Sequence, residues 1–196
     1  MSHHATLPTA DIPPAPVISL GTKIAEIRVG NLAMNVAGGL LLVLISVAAI
    51  LLAHALPHFA SPQRWHLLIL VGSLLALLPV HEGLHAAGLM KFARVPWKKI
   101  RFGLIWPWGI AYCHCAIPIS IRSYCRMALL PVAVTGLAAI VALLWYPSDV
   151  MGFVTGMVLA AGACDVWTVY KLRRFDREML IQDSATECGG DVFARA

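Results

Sequence analysis

Charge is what this sequence has least of: only 13% of its residues are charged, where a soluble domain carries about a quarter. With 59% hydrophobic residues beside that shortage, a water-soluble domain of ordinary composition is excluded. The formal net charge is +5, but no Lys/Arg run is interleaved with aromatics as a nucleic-acid surface would be. No nucleic-acid partner is expected. A C-x-x-C pair is missing, and the five cysteines, at positions 113, 115, 125, 164 and 188, are odd in number. Neither a disulfide framework nor a zinc ribbon is indicated. No internal repeat of useful period is found.

What the sequence has instead is long apolar runs. A helix needs about 20 mostly apolar residues to cross the bilayer, and four stretches qualify, at roughly 32–56, 66–90, 127–146 and 149–170. Residues 1–17 are rich in Pro, Thr and Ala without periodicity and read as a disordered tail. Residues 18–171 read as one four-span membrane domain, and 172–196 as a cytoplasmic tail. A signal peptide opens on a basic patch and a short apolar core. Here the first apolar run begins near Leu32, after Lys23 and Arg28, and reads as an uncleaved anchor.

Orientation follows from the basic residues. Lys23 and Arg28 precede the first span, and Lys91, Arg94, Lys98, Lys99, Arg101, Arg122 and Arg126 follow the second. Lys171, Arg173, Arg174, Arg177 and Arg195 follow the fourth, and only Arg64 stands opposite them. By the positive-inside rule both termini and the long connector are cytoplasmic. All five cysteines then lie in or near the cytoplasmic half, where thiols stay reduced.

The connector from Lys91 to Cys125 has internal organisation. Arg101–Trp106 and Ile110–Cys115 are apolar-rich runs on either side of Pro107-Trp108-Gly109, a turn signal between strands. This reads as a small β-hairpin at the cytoplasmic interface, and an amphipathic surface segment anchored by Trp106 and Trp108 fits nearly as well. The expected fold is therefore an all-α integral membrane protein, four transmembrane helices with a small cytoplasmic-side hairpin.

The second span contains His81-Glu82-Gly83-Leu84-His85. On a helix, positions i and i+4 share one face, so both imidazoles can hold one metal ion. Glu82, beside the first histidine, is placed to take a proton from water at the metal's open position. Ionisable residues deep in a span cost a few kcal/mol on insertion scales and generally have a partner or a function. A purely structural cluster of three within five residues is the blander alternative.

Zinc requires a third protein ligand, and Asp165 is the candidate. It is the acidic residue inside the fourth span, preceded by small residues, Ala160-Ala161-Gly162-Ala163-Cys164, which permit close helix approach. His81 lies about 15 residues into its span and Asp165 about 16 into its own, descents of about 22 and 24 Å. An Asp hydrogen-bonded to Thr168 or Tyr170 is the competing reading. Cys113-His114-Cys115 is a rival source of ligands, although alternate residues on a strand face opposite ways. His114 alone could lie near the cleft and stabilise an oxyanion, or be a plain interfacial histidine. Pro79, two residues before His81, leaves one carbonyl unpaired, which can admit water or be a tolerated kink. Asn35, His54 and His66 lie towards span ends and receive no role.

The order of these features resembles a known family. H-E-x-x-H in a span, a cytoplasmic connector, Leu129-Leu130-Pro131 at the head of a third span and a later span carrying Asp look like a compact site-two protease. More closely they resemble the bacterial membrane proteins named putative zincin peptidases. That resemblance covers roughly residues 66–192, including Gly162 to Asp165, Asp183 and Gly189-Gly190-Asp191-Val192. It implies that His81, His85 and Asp165 bind Zn2+ and that Glu82 is the catalytic base. The chain departs from site-two proteases at Asp165, which is not followed by the Gly of Leu-Asp-Gly, and at Leu130-Pro131, where Gly-Pro is usual.

The function expected is that of a zinc-dependent intramembrane peptidase acting on membrane-embedded or membrane-adjacent protein substrates. The partners expected are such a protein or peptide and the lipid bilayer. A non-enzymatic metal-binding or metal-transport protein is the alternative, since buried ionisable clusters also mark transport routes. The outer halves of the spans offer almost no polar residues to line such a route.

Overall fold

The computed structural model describes residues 20–61, 63–184 and 186–195. The tail expected over 1–17 lies outside the described residues. Strand β1 (Leu20–Val29) leads into helix α1 (Asn31–Ala55), which is followed by α2 (His66–Phe92). The connector contains β2 (Ile100–Ile105) and β3 (Ile110–Cys115), and β4 (Ile119–Ser120) opens directly into α3 (Ile121–Trp145). The chain continues through α4 (Asp149–Ala161), α5 (Ala163–Leu172), β5 (Leu180–Asp183) and β6 (Cys188–Arg195).

Among the described residues, four helices are long and apolar enough to cross a membrane: α1, α2, α3 and the pair α4–α5. Two of them, α3 and α4, begin where the sequence supplies a side-chain cap. The Ser120 and Ser148 hydroxyls each accept the backbone N–H three residues on, from Ser123 and Met151, both at 3.3 Å, satisfying donors that a helix start otherwise orphans. Their outer faces are apolar and uncovered. Leu68 and Leu75 of α2 are each 73% exposed, a surface that suits lipid and not water.

The apolar core has two parts. One lies among the spans, where Ala49 and Ala53 of α1 meet Leu77 of α2, Leu143 of α3 and Val154 and Met157 of α4. The other joins the helix ends to the strands, through Ile27, Leu89, Val95, Ile121, Ile181 and Val192. At the end of the bundle away from the strands, polar residues pair with one another. His54 Nε2 lies 2.8 Å from Asp149 Oδ1, and His66 Nε2 lies 3.0 Å from the Tyr146 hydroxyl.

The fold is not all-α. A four-stranded sheet in the order β1-β6-β5-β4 adjoins the helix ends. β6 runs antiparallel to both β1 and β5, so the residues read as a tail are paired with those that precede the first span. Ion pairs from Arg28 (2.9 Å) and Lys23 (3.1 Å) to Asp191 reinforce the β1–β6 edge. Local patterning hides this sheet, because its longest pairing, β1 with β6, joins segments at opposite ends of the sequence. The connector hairpin is present, with β2 and β3 antiparallel and Gly109 in the left-handed region (φ 63°) that the turn requires. Its tip is fastened to α1, the Asn35 side-chain amide donating to the Trp108 carbonyl at 3.1 Å.

Candidate metal centre

His81 and His85 are both buried on α2, one turn apart, with ring centroids 4.9 Å from each other. α2 remains helical through Pro79, so the i, i+4 spacing places both rings on one face. Gly88, nearly one turn further on, sets the position of the neighbouring helix. A Cβ there would stand 2.9 Å from Met127 Cα, so only glycine lets α3 come this close. The Met127 carbonyl thereby accepts from His85 Nδ1 at 3.3 Å, which leaves Nε2 as the unprotonated, metal-facing nitrogen.

Asp165 enters from the first turn of α5, where the fourth span is broken at Gly162. Its Oδ2 lies 3.2 Å from His81 Nε2 and its Oδ1 3.4 Å from His85 Nε2. The three residues each offer a ligand atom within 4.8 Å of the others. Donors held at about 2.0–2.1 Å around a tetrahedral zinc stand roughly 3.3 Å apart, so these separations fit one ion among two imidazoles and a carboxylate. His81 Nδ1 is buried without a hydrogen-bond partner, so the polar satisfaction of this cluster is incomplete in the polypeptide alone.

A cavity of about 400 Å³ adjoins the cluster. His81, Glu82, His85 and Asp165 line one part of it, with α1 contributing Met34 and Gly38 and β3 contributing Ala111 and Tyr112. Glu82 is half-buried beside His81, and its carboxylate faces the backbone amide of Cys113 on β3. The hairpin thus forms a wall of the cavity that contains the histidines.

The other candidate ligands do not join this cluster. His114 Nδ1 lies 3.0 Å from Asp183 Oδ2, and the Tyr124 hydroxyl donates to Asp183 Oδ1 at 3.4 Å. Burial pushes the Cys113 thiol up to about 12, with the Glu82 and Asp183 carboxylates adding to the effect, and its sulfur is not among the atoms that converge with His81, His85 and Asp165. Asp183 and Tyr124 line the cavity, and sequence reasoning assigned neither a role there. Burial raises the Asp183 carboxyl above its ordinary value, against the hydrogen bonds from His114 and Tyr124 that pull it down. The expectation that all five cysteines are reduced is also corrected, since Cys164 and Cys188 form a disulfide with Cα atoms 6.1 Å apart. The two are 24 residues apart in sequence and meet only because β6 returns to the start of α5.

Residues 74–180, more than half of the chain, match a family described as putative zincin peptidase. The chain belongs to this family. The matched residues run from within α2 to the first residue of β5, so β1, α1 and β6 lie outside them. No curated protein and no solved structure matches the chain. Membership makes a metallopeptidase activity and zinc the coarse expectation for this site.

Proposed function

We propose that this family member is a zinc-dependent intramembrane peptidase, with His81, His85 and Asp165 holding the ion and Glu82 acting as general base. The observation that carries this reading is the convergence of the His81 and His85 Nε2 atoms on the Asp165 carboxylate, beside Glu82, in a cavity walled by a hairpin. When bound, zinc supplies Lewis acidity to a water in its open position and to the peptide carbonyl. With the ion in place, Glu82 would act as the base that takes a proton from the attacking water and returns it to the leaving amine. Met127 holds His85 in its ligating tautomer through the carbonyl. The substrates are membrane-embedded or membrane-adjacent proteins. Helices enclose their own carbonyls, so a substrate segment must unwind, and the β3 backbone beside Glu82 offers a surface to hold it extended. The basic residues flanking the strand-bearing ends of the spans support a site on the cytoplasmic side of the membrane.

The test is zinc content and proteolysis measured on the same preparations, with a reconstituted membrane protein as substrate. Glu82→Gln keeps the size of the side chain and removes its basicity. It should retain zinc and lose at least about 10²-fold in cleavage, the lower size of a general acid–base contribution. His81→Ala and His85→Ala should lose the ion, and Asp165→Ala should weaken its binding. Normal proteolysis by Glu82→Gln would sink the mechanism. A zinc-loaded wild type inert towards every substrate would favour a metal carrier instead.

A further inference from the structure

Three of the five cysteines, Cys113, Cys115 and Cys125, are free thiols, and Cys164 and Cys188 are bonded to each other. The bonded pair occupies a distinctive mechanical position. The fourth span breaks at Gly162, and Cys164 and Asp165 are the second and third residues of the helix that restarts after it. No side-chain cap holds that restart. The disulfide ties it to Cys188, the first residue of β6. The far side of the bond is well anchored, since β6 pairs with β1 on one edge and β5 on the other. The bond therefore fastens the turn carrying Asp165 to a sheet fixed by its own ladder. Cys164, Asp165 and Cys188 all line the cavity that contains His81 and His85, and both cysteines are only half-buried. Solutes that reach the metal-binding cluster also reach the sulfurs.

The compartment makes this bond unusual. The helix ends on this side carry nearly all the Lys and Arg of the chain, while the opposite side carries Arg64. That distribution puts the pair in a reducing cytoplasm, where disulfides are rare and, when present, are mostly transient and redox-sensing. We propose that Cys164–Cys188 is a reversible redox site that sets how firmly Asp165 holds the metal ion. This rests on the zinc reading above.

The chemistry needs a dithiol reductant of the thioredoxin class. Its thiolate attacks one sulfur of the pair, forming a mixed disulfide and releasing the other cysteine as a thiolate that takes up a proton. Its second thiol then displaces the remaining cysteine, so two electrons and two protons pass to the pair and the reductant leaves as its own disulfide. With the bond closed, the Asp165 turn is held near its ligating position before the ion arrives, and less freedom is lost on binding. With it open, α5 is joined to β6 only through non-covalent contacts such as Thr168 with Cys188, 3.5 Å apart. The oxidised protein is then the tighter zinc binder.

The experiment measures zinc dissociation constants by chelator competition on the full chain in lipid nanodiscs. One sample is equilibrated with a disulfide oxidant and another with a dithiol, and thiol labelling with mass spectrometry records the state of the pair. The oxidised wild type should bind zinc about 10-fold more tightly than the reduced, the lower size of the effect when a group supporting a metal ligand is lost. The Cys164→Ser/Cys188→Ser double variant, with neither the bond nor its thiols, should match the reduced wild type under both conditions. Equal constants in the two wild-type samples would overturn the proposal, as would a double variant that binds like the oxidised protein. A pair that stays bonded in a cytoplasmic dithiol buffer would also overturn it. Protein that binds zinc no better than His81→Ala in either state would overturn this proposal together with the zinc reading, whereas redox-independent binding overturns this one alone.

Discussion

Asp183 joins the connector hairpin, α3 and the four-stranded sheet through one carboxylate, which accepts from His114 and Tyr124. Burial raises its pKa above the ordinary carboxyl value despite both hydrogen bonds. The folded protein therefore holds this proton more firmly than the unfolded chain does. The stability that the neutral form contributes is complete below the unfolded value and is lost as pH rises through the raised folded value. Asp183→Asn preserves the neutral shape and cannot ionise. As pH rises above about 4, the ordinary carboxyl range, the melting temperature of wild type should fall more steeply than that of Asp183→Asn. Parallel curves would mean that Asp183 ionises as freely in the fold as outside it. This residue shows where reading the sequence stops. His81, Glu82 and His85 are legible because one helix fixes their mutual geometry at a spacing of four. Asp165 is legible through the rarity of a carboxylate within a span. Asp183 lies in a short polar stretch with no periodicity, and its partners come from two other elements.

Element by element, the same division holds. The spans are legible because crossing a bilayer demands a long apolar run, and the hairpin is legible because Pro107-Trp108-Gly109 separates two runs of strand character. The four-stranded sheet leaves no such trace, since its partners β1 and β6 are chosen by tertiary packing. The contact of α2 with α3 is likewise set by Gly88, which as a residue in a span looks like any other small one. Filling that space should be felt at the metal centre. Gly88→Leu forces the helices apart, with an overpacking cost of about 1–3 kcal/mol. It should also weaken zinc binding by moving the Met127 carbonyl away from His85. The measurement is the melting temperature together with zinc affinity. A variant as stable as wild type, binding zinc equally well, would show that the helices meet without relying on this glycine.

For the molecule as a whole, sidedness is the property that the remaining prediction addresses. Lys and Arg concentrate at the helix ends that carry the strands, and the 57–64 loop joins α1 and α2 at the opposite ends. Reporters fused to either terminus should be active in the cytoplasm. A cysteine introduced at Ser61 should react in intact cells with a reagent that cannot cross the membrane. A terminus labelled from outside would reverse the arrangement. The sheet also imposes an order of events during synthesis. β1 emerges first, yet its partner β6 follows roughly 160 residues later, a wait on the order of ten to thirty seconds at ordinary translation rates. All four spans can enter the bilayer during that interval while β1 stays unpaired, and Cys188 is not yet available to Cys164. The nascent protein is thus a helical bundle without its four-stranded sheet, and the cavity acquires its last wall only when translation has passed β6.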